Sequence, residues 1–279
     1  ENQPREYLEL RCKEIGITPK PALKAKGTVT FFGDDGTVVP QGTRVYTDEE
    51  TPVYFVTTET GAIVDGQVTV TAEAEQGGAE GNVTVGAITL HVGNIVGIAN
   101  VINNVPFEGG TNKETDESLL KRFFEKTQRP AISGNIWHYR QWALEVPGVS
   151  DCKVIPLWNG NGAVKVILLS DDKRTPSQTI INNTAVHIEE NRPIGADVTV
   201  VGATEVPINV STTLILTDGK TLSDAQAEIE AGIAEYLKTL AYVDPIVRYT
   251  RIANVILDAP SILDYSELLI NGSNGNIEI

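Results

Sequence analysis

The sequence predicts an α+β chain of several domains, an N-terminal antiparallel β domain followed by two α+β domains. Three observations carry this. Residues 27–85 repeat short β-branched and aromatic runs split by Gly, Asp and Pro, the mark of half-buried strands joined by turns. Residues 105–124 then turn through Gly109-Gly110 into a helix-start signal. Beyond that point helical and strand periods alternate. The expected division is a helical remnant or linker at 1–26, a β-rich sandwich-like domain at 27–108, an α+β domain at 109–206 and a C-terminal α+β domain at 207–279.

In the first 26 residues, Pro4 to Arg11 reads as a short helix, broken by Thr18-Pro19-Lys20-Pro21. From Gly27 the period becomes two. Thr28–Phe32, Thr37–Thr47, Val53–Thr57, Gln67–Ala72 and Asn82–Val85 predict a small antiparallel sandwich or barrel. Gly33-Asp34-Asp35-Gly36 offers carboxylates to a cation, yet it lacks the further acids at regular steps that a calcium loop supplies. A hairpin turn explains it better.

The joint at 105–124 separates two kinds of construction. Gly109 and Gly110 free the backbone, Thr115 or Asp116 supplies a cap, and acids precede Lys121 and Arg122 along the helix, as its dipole favours. A phosphate cradle is a weaker reading, since the P-loop Lys-Ser/Thr is missing. The helix is expected to run from Thr115 to Gln128 and to end at Arg129-Pro130.

A second helix is predicted from Gly134 to Val146. Around its circumference Ile136, Trp137, Tyr139, Trp142, Ala143, Leu144 and Val146 cover more than half. His138, Gln141 and Glu145 form a narrow polar strip, and Arg140 stands amid the apolar side. One sheet cannot cover so much. Either the helix is sandwiched inside its own domain or Trp137 or Trp142 packs on another subunit, where aromatics and Arg are favoured anchors. Trp137, Arg140 and Trp142 are therefore the candidate protein-interface residues.

Val149–Trp158 and Ala163–Leu169 flank Asn159-Gly160-Asn161-Gly162, a hairpin signal. Thr175-Pro176-Ser177-Gln178 reads as a capping box launching a helix to about Asn191, and Asp197–Val201 returns as a strand, giving the order α-α-β-β-α-β. The last unit reads as strand Pro207–Leu216, helix Leu222–Leu240, helix Arg248–Leu257 and strand Ile262–Ile270. Leu144–Asp151 and Leu257–Asp264 echo each other: helix end, Pro, small residue, β-branched residue, one residue, Asp.

The 279 residues carry a formal net charge of -15, with 41% hydrophobic and 21% charged side chains. That charge argues against a nucleic-acid groove or an anionic membrane surface, both of which need clustered cations. It suits a component that stays dispersed until it meets a partner. Cys12 and Cys152 are too far apart for a metal motif, and His91, His138 and His187 are scattered. No apolar run reaches bilayer length, and no signal-peptide pattern opens the chain. The absence of Met, at position 1 too, points to a natural start upstream. Hydrolase, P-loop and zinc-helix motifs are missing, so no catalytic, cofactor or metal residue is assigned. Asp171-Asp172 follows a strand end, where a metal-using α/β enzyme places acids, but Lys173 and Arg174 come at once and favour a solvated loop.

The order of features resembles the baseplate J family of contractile phage tails. The resemblance rests on Val38-Val39-Pro40-Gln41-Gly42-Thr43-Arg44-Val45-Tyr46-Thr47, Val53–Thr57, Ala74–Val83, and Phe107-Glu108-Gly109-Gly110 running into Glu114-Thr115-Asp116-Glu117 and Arg122. Val146-Pro147-Gly148-Val149 and Arg192–Ala196 extend it. It spans about residues 24–270. It implies a structural subunit of the baseplate wedge, in the virion tail, assembled in the bacterial host cytoplasm with other wedge and hub proteins and copies of itself, without catalysis, cofactor, nucleic acid or membrane. Two rivals stand beside it: a carbohydrate-binding or adhesive surface protein, and a metal hydrolase using Asp171 and Asp172.

Overall fold

The computed structural model describes residues 4–93, 95–129 and 131–279. The chain divides into two compact units, one of residues 1–171 with 176–202, the other of 172–175 with 203–279.

In the first unit, α1 (Arg5–Glu14) leads through an extended strap into the strands β1 (Lys26–Gly33), β2 (Val38–Val39), β3 (Arg44–Thr47), β4 (Tyr54–Thr57), β5 (Gly61–Ala62), β6 (Gln67–Ala74), β7 (Ile88–His91) and β8 (Ile98–Ile102). Six of them form one antiparallel sheet in the order β7-β3-β4-β6-β1-β8. It curls until β7 and β8, its two edges, lie side by side as a nearly closed barrel. Of the sandwich or barrel expected from these strands, the barrel is the form seen, one curled sheet in place of the sandwich-like domain drawn at 27–108. Val29, Phe31, Val45, Phe55, Val70, Ile88, Val101 and Phe107 fill the interior. Phe107 meets Phe55 edge-on at 4.6 Å between centroids, and Gly27 leaves room for it, since a Cβ there would stand 2.6 Å from the Phe107 ring.

The strand expected at Asn82–Val85 is absent. Side chains hold that stretch instead of a ladder. The buried Asn103 amide donates to the carbonyls of Thr84 and Val105 and accepts from the Ile88 amide, and Asn82 exchanges hydrogen bonds with the Gly110 backbone. The true strands β7 and β8 escaped notice because both are short and flanked by Gly. Gly33–Gly36 is a turn, but no hairpin closes over it, since β1 pairs with β6 and β8 while β2 pairs with β5. Asp35 accepts from the Gly66 amide at 2.8 Å.

Beyond the barrel come α2 (Asp116–Gln128), α3 (Ile136–Glu145), β9 (Asp151–Pro156), β10 (Ala163–Leu169), α4 (Gln178–Asn191) and β11 (Asp197–Gly202), in the order predicted. Thr115 caps α2 by accepting from the Ser118 amide at 3.2 Å. The residue expected to end α2, Pro130, lies outside the described residues. β9 and β10 form the predicted antiparallel hairpin, and β11 joins β10 in parallel. The capping box at Thr175–Gln178 is not made. The Thr175 hydroxyl donates to the Ala203 carbonyl, so α4 starts after Ser177, whose buried hydroxyl finds no partner among the described residues.

The second unit holds β12 (Val210–Leu216), α5 (Leu222–Leu240), β13 (Ile246–Val247), α6 (Tyr249–Leu257), β14 (Ile262–Ile270) and β15 (Ile277–Glu278). Its helices and long strands fall where the sequence places them. β12 pairs with β14 and β13 with β15, and the two-residue pair is too short to show a period. α5 opens with a reciprocal capping box between Thr221 and Asp224. Ile229, Leu240, Ile252, Ile256, Leu268 and Ile270 centre this core.

Candidate protein interface

The helix α3 decides where the three candidate residues go. Asn135 caps it, accepting from the His138 amide at 2.9 Å. Trp142 is only 6% exposed, packed with Tyr139, Leu144, Val166, Ile180 and Ile188 between α4 and the sheet β9-β10-β11. Tyr139 meets its ring edge-on and His138 stacks on it at 3.9 Å. Burial holds the His138 imidazole below its ordinary pKa, so it packs as a neutral ring at neutral pH. Trp142 is thus an internal anchor, the sandwiched alternative of the two read from the helix.

Arg140 is occupied as well. Its guanidinium donates to Glu125 at 2.8 and 3.1 Å, to Asp151 at 2.5 Å and to the Cys152 carbonyl, and Lys121 reaches Asp151 at 3.0 Å. Burial pulls the Arg140 pKa down, but the hydrogen bond with Glu125 and the charges of Asp151 and Glu125 more than reverse it, leaving it raised. Asp151 is pushed up by burial and down further by Arg140, so it stays ionised. Burial lifts the Cys152 thiol to about 12, which makes it inert. The stranded arginine of the sequence is therefore the tie that fastens α3 to α2 and to the first residue of β9.

Trp137 behaves differently. It is 37% exposed, with the Arg129 guanidinium over its ring at 4.2 Å. It forms one wall of a groove of about 260 Å³ whose other walls include Gly16, Ile17, Lys126, Arg129 and Leu144. On α2 the lining residues Arg122, Glu125 and Lys126 fall at helical spacing on one face of the helix, and its C-cap Arg129 follows them. Glu145, also on the wall, accepts from Gln141 at 3.0 Å and meets His187 at 2.9 Å. Among the described residues no carboxylate pairs with Lys126 or Arg129.

Under the groove lies a cluster that sequence reading missed. The Glu114 side chain is 2% exposed and meets Arg122 at 2.7 and 2.9 Å. It also accepts from the Lys20 amide at 3.0 Å. The buried Lys20 ammonium donates to the Val149 carbonyl at 2.7 Å, and burial lowers its pKa to about 8. Bridges Leu23↔Thr111 and Lys26↔Glu108 zip the strap to the joint. Glu114 and Arg122 stand eight residues apart on a visible helix start, which was a usable signal. The pairing with Lys20, 94 residues distant, left none.

Asp171 and Asp172 fall on either side of the division between the two units, and Asp172 accepts from the Arg174 amide. Among the described residues no three His, Cys, Asp or Glu side chains gather closely enough to hold a metal ion. Among the described residues no helix is long and apolar enough to cross a membrane.

Three family models match the chain in succession: the baseplate J-like protein barrel domain at residues 28–110, the baseplate J-like central domain at 131–202 and the baseplate J-like C-terminal domain at 208–279. Among curated relatives, the phage-like element PBSX protein XkdT of Bacillus subtilis is 32% identical over 280 residues, covering 98% of this chain and 76% of its own length. The protein YqbT of the same organism is 33% identical over the same shares. Baseplate protein gp47 of Escherichia phage Mu is 30% identical over 224 residues, 73% of this chain and 60% of its own. The anti-feeding prophage baseplate structure superposes with a TM-score of 0.46 at 10% identity over 99% of this chain and 79% of the other, too loose a likeness to weigh. By sequence, over nearly all its length, the chain belongs to the baseplate J-like protein family.

Proposed function

We propose that this protein builds the wedge of a contractile-tail baseplate, around the tail hub, joining other wedge and hub proteins and copies of itself. The chain is a structural subunit of a phage-type baseplate, and the observation that carries this is the run of three baseplate J-like regions in one order from residue 28 to 279. The finer reading puts it in the wedge, assembled in the host cytoplasm, and gives it a role in assembly and not in turnover. Support for a contact role comes from the exposed Trp137 beside Arg129, whereas Trp142 and Arg140 serve the interior. The net charge of -15 favours protein partners over nucleic acid or an anionic membrane. The division proposed is 27–108, 109–206 and 207–279.

A tagged pull-down of the full-length protein from its native cells, with bound proteins identified by mass spectrometry, tests this reading. Recovery of sheath, tube or wedge proteins is expected. Recovery of none of them from cells shown to be assembling tails overturns it, and specific glycan capture by residues 27–108 would move the assignment to an adhesive role.

A further inference from the structure

Two charged features of the first unit have no ion-pair partner among the described residues, and they are of opposite sign. One is the groove, where Lys126 and Arg129 flank Trp137 above the apolar floor of Ile17 and Leu144. The carboxylates on its walls are already engaged, Glu125 by Arg140 and Glu145 by Gln141 and His187. The other is the turn between β3 and β4. Asp48-Glu49-Glu50 is the single run of three adjacent acids in the sequence, and all three are exposed. Most other acidic pairs have found local work. Asp35 takes the Gly66 amide, Asp116 pairs with Arg5 and Glu189 with Arg192. No ion pair or side-chain hydrogen bond among the described residues engages residues 48–50.

The turn is also held in shape at its base. The Val53 amide donates to the buried Thr47 hydroxyl at 3.0 Å, and the Thr47 amide donates to the Val53 carbonyl at 3.2 Å. A tip fixed in this way loses little freedom on docking. It takes no part in lining the groove of its own chain.

We infer that the groove of one copy receives the acidic Asp48–Glu50 turn of a second copy, with Lys126 and Arg129 meeting the carboxylates and Trp137 packing on the adjoining backbone. Charge complementarity selects this occupant, since copies of a chain of net charge -15 repel one another and a contact between them is favoured where cations free of ion pairs, such as Lys126 and Arg129, meet exposed acids. Because the two patches differ, the contact is head to tail, and such contacts close into rings or run on as filaments in place of isolated pairs. The surface buried by one turn is small, so the contact is weak when single and adds up in an assembly.

This inference rests on the baseplate reading, and its test separates the two. Full-length E49C and K126C variants are mixed and oxidised mildly. A disulfide-linked dimer exceeding that from either variant alone, and that from E49C with the control E235C in the other unit, is expected. In sedimentation velocity, K126E/R129E weakens self-association by roughly tenfold, and combination with D48K/E49K/E50K restores it. Cross-linking no better than the control, association unmoved by the reversal, or a groove cysteine that links only to a different protein in assembled tails overturns the second-copy contact. A protein that enters tails without this cross-link defeats the contact alone, whereas one that never enters tails defeats the reading beneath it.

Discussion

Along Leu144–Asp151 the chain leaves α3 and enters β9, and along Leu257–Asp264 it leaves α6 and enters β14, with the same pattern of residue types. The backbones agree, since Val149 bonds back to the Val146 carbonyl and Ile262 to that of Ala259. Even the aspartates behave alike locally, each accepting from the amide of the residue that follows it. Their wider surroundings part company. Asp151 is joined by Arg140 and Lys121, while Asp264 stands exposed. In the C-terminal unit, three residues before Asp264, the tie runs through Ser261, whose amide and hydroxyl both donate to Glu228 of α5 at 2.8 and 2.9 Å. One local pattern encodes the turn, and the charges that secure it differ in origin, Arg140 of α3 with Lys121 of α2 in one case and Glu228 of α5 in the other.

Removing the tie in the middle region should give the largest effect. Arg140→Ala strands Glu125 and Asp151, each under a fifth exposed, and is expected to cost about 4 kcal/mol. Trp137, Trp142 and Trp158 all lie in this region and none in residues 203–279, so the urea midpoint of Trp fluorescence reads the loss directly. An unchanged midpoint would remove the ionic tie from the comparison.

The next effect is pH-linked and belongs to the middle turn alone, because Lys20 donates to Val149 within it. Its pKa falls from 10.5 to about 8 on folding, so the unfolded chain binds the extra proton between those values and stability rises with pH across that window. The gain approaches about 3 kcal/mol. Comparing Lys20→Met with the parent protein over that range should show this rise missing from the variant; parallel curves would refute it.

These charges bear on how much could be read from the chain itself. The limits of α5 and β14, the Thr115 cap and the order α-α-β-β-α-β were all legible, because caps and periods are local. Trp137, Trp142 and Arg140 were not separable from one another. A helical wheel counts apolar positions and cannot show that α4 and the sheet together cover the wider face. Glu114 with Lys20 was hidden for a simpler reason, that partners 94 residues apart share no pattern.

Smaller perturbations sharpen the backbone side of the comparison. Gly148 has φ +87°, and a Cβ there would lie 2.5 Å from Ile180 and 2.9 Å from Thr111. Gly148→Ala should cost about 2 kcal/mol in the Trp-monitored transition, and a neutral result would mean that Ile180 yields. The smallest change is Ser261→Ala, which loses the hydroxyl's hydrogen bond to Glu228 while the backbone amide keeps its own, and should cost about 1 kcal/mol. It is expected to shift a circular-dichroism transition while leaving the Trp midpoint in place, and movement of both would show that the two turns are not energetically separate.

The zipped strap and joint have one more consequence. The chain enters the barrel beside the point where it leaves, at Leu23 opposite Thr111 and Lys26 opposite Glu108. On either side of that doorway, α1 and α2 share a small core of Cys12, Ile17 and Leu119. The barrel is thus an insertion between two helices that already belong together, with both its ends at one gate. A module mounted in this way can be exchanged or lengthened at the far end while the helical body keeps its own packing, because the entropy of closing a loop grows only slowly with its length. Variation between related tails has a ready place to accumulate there.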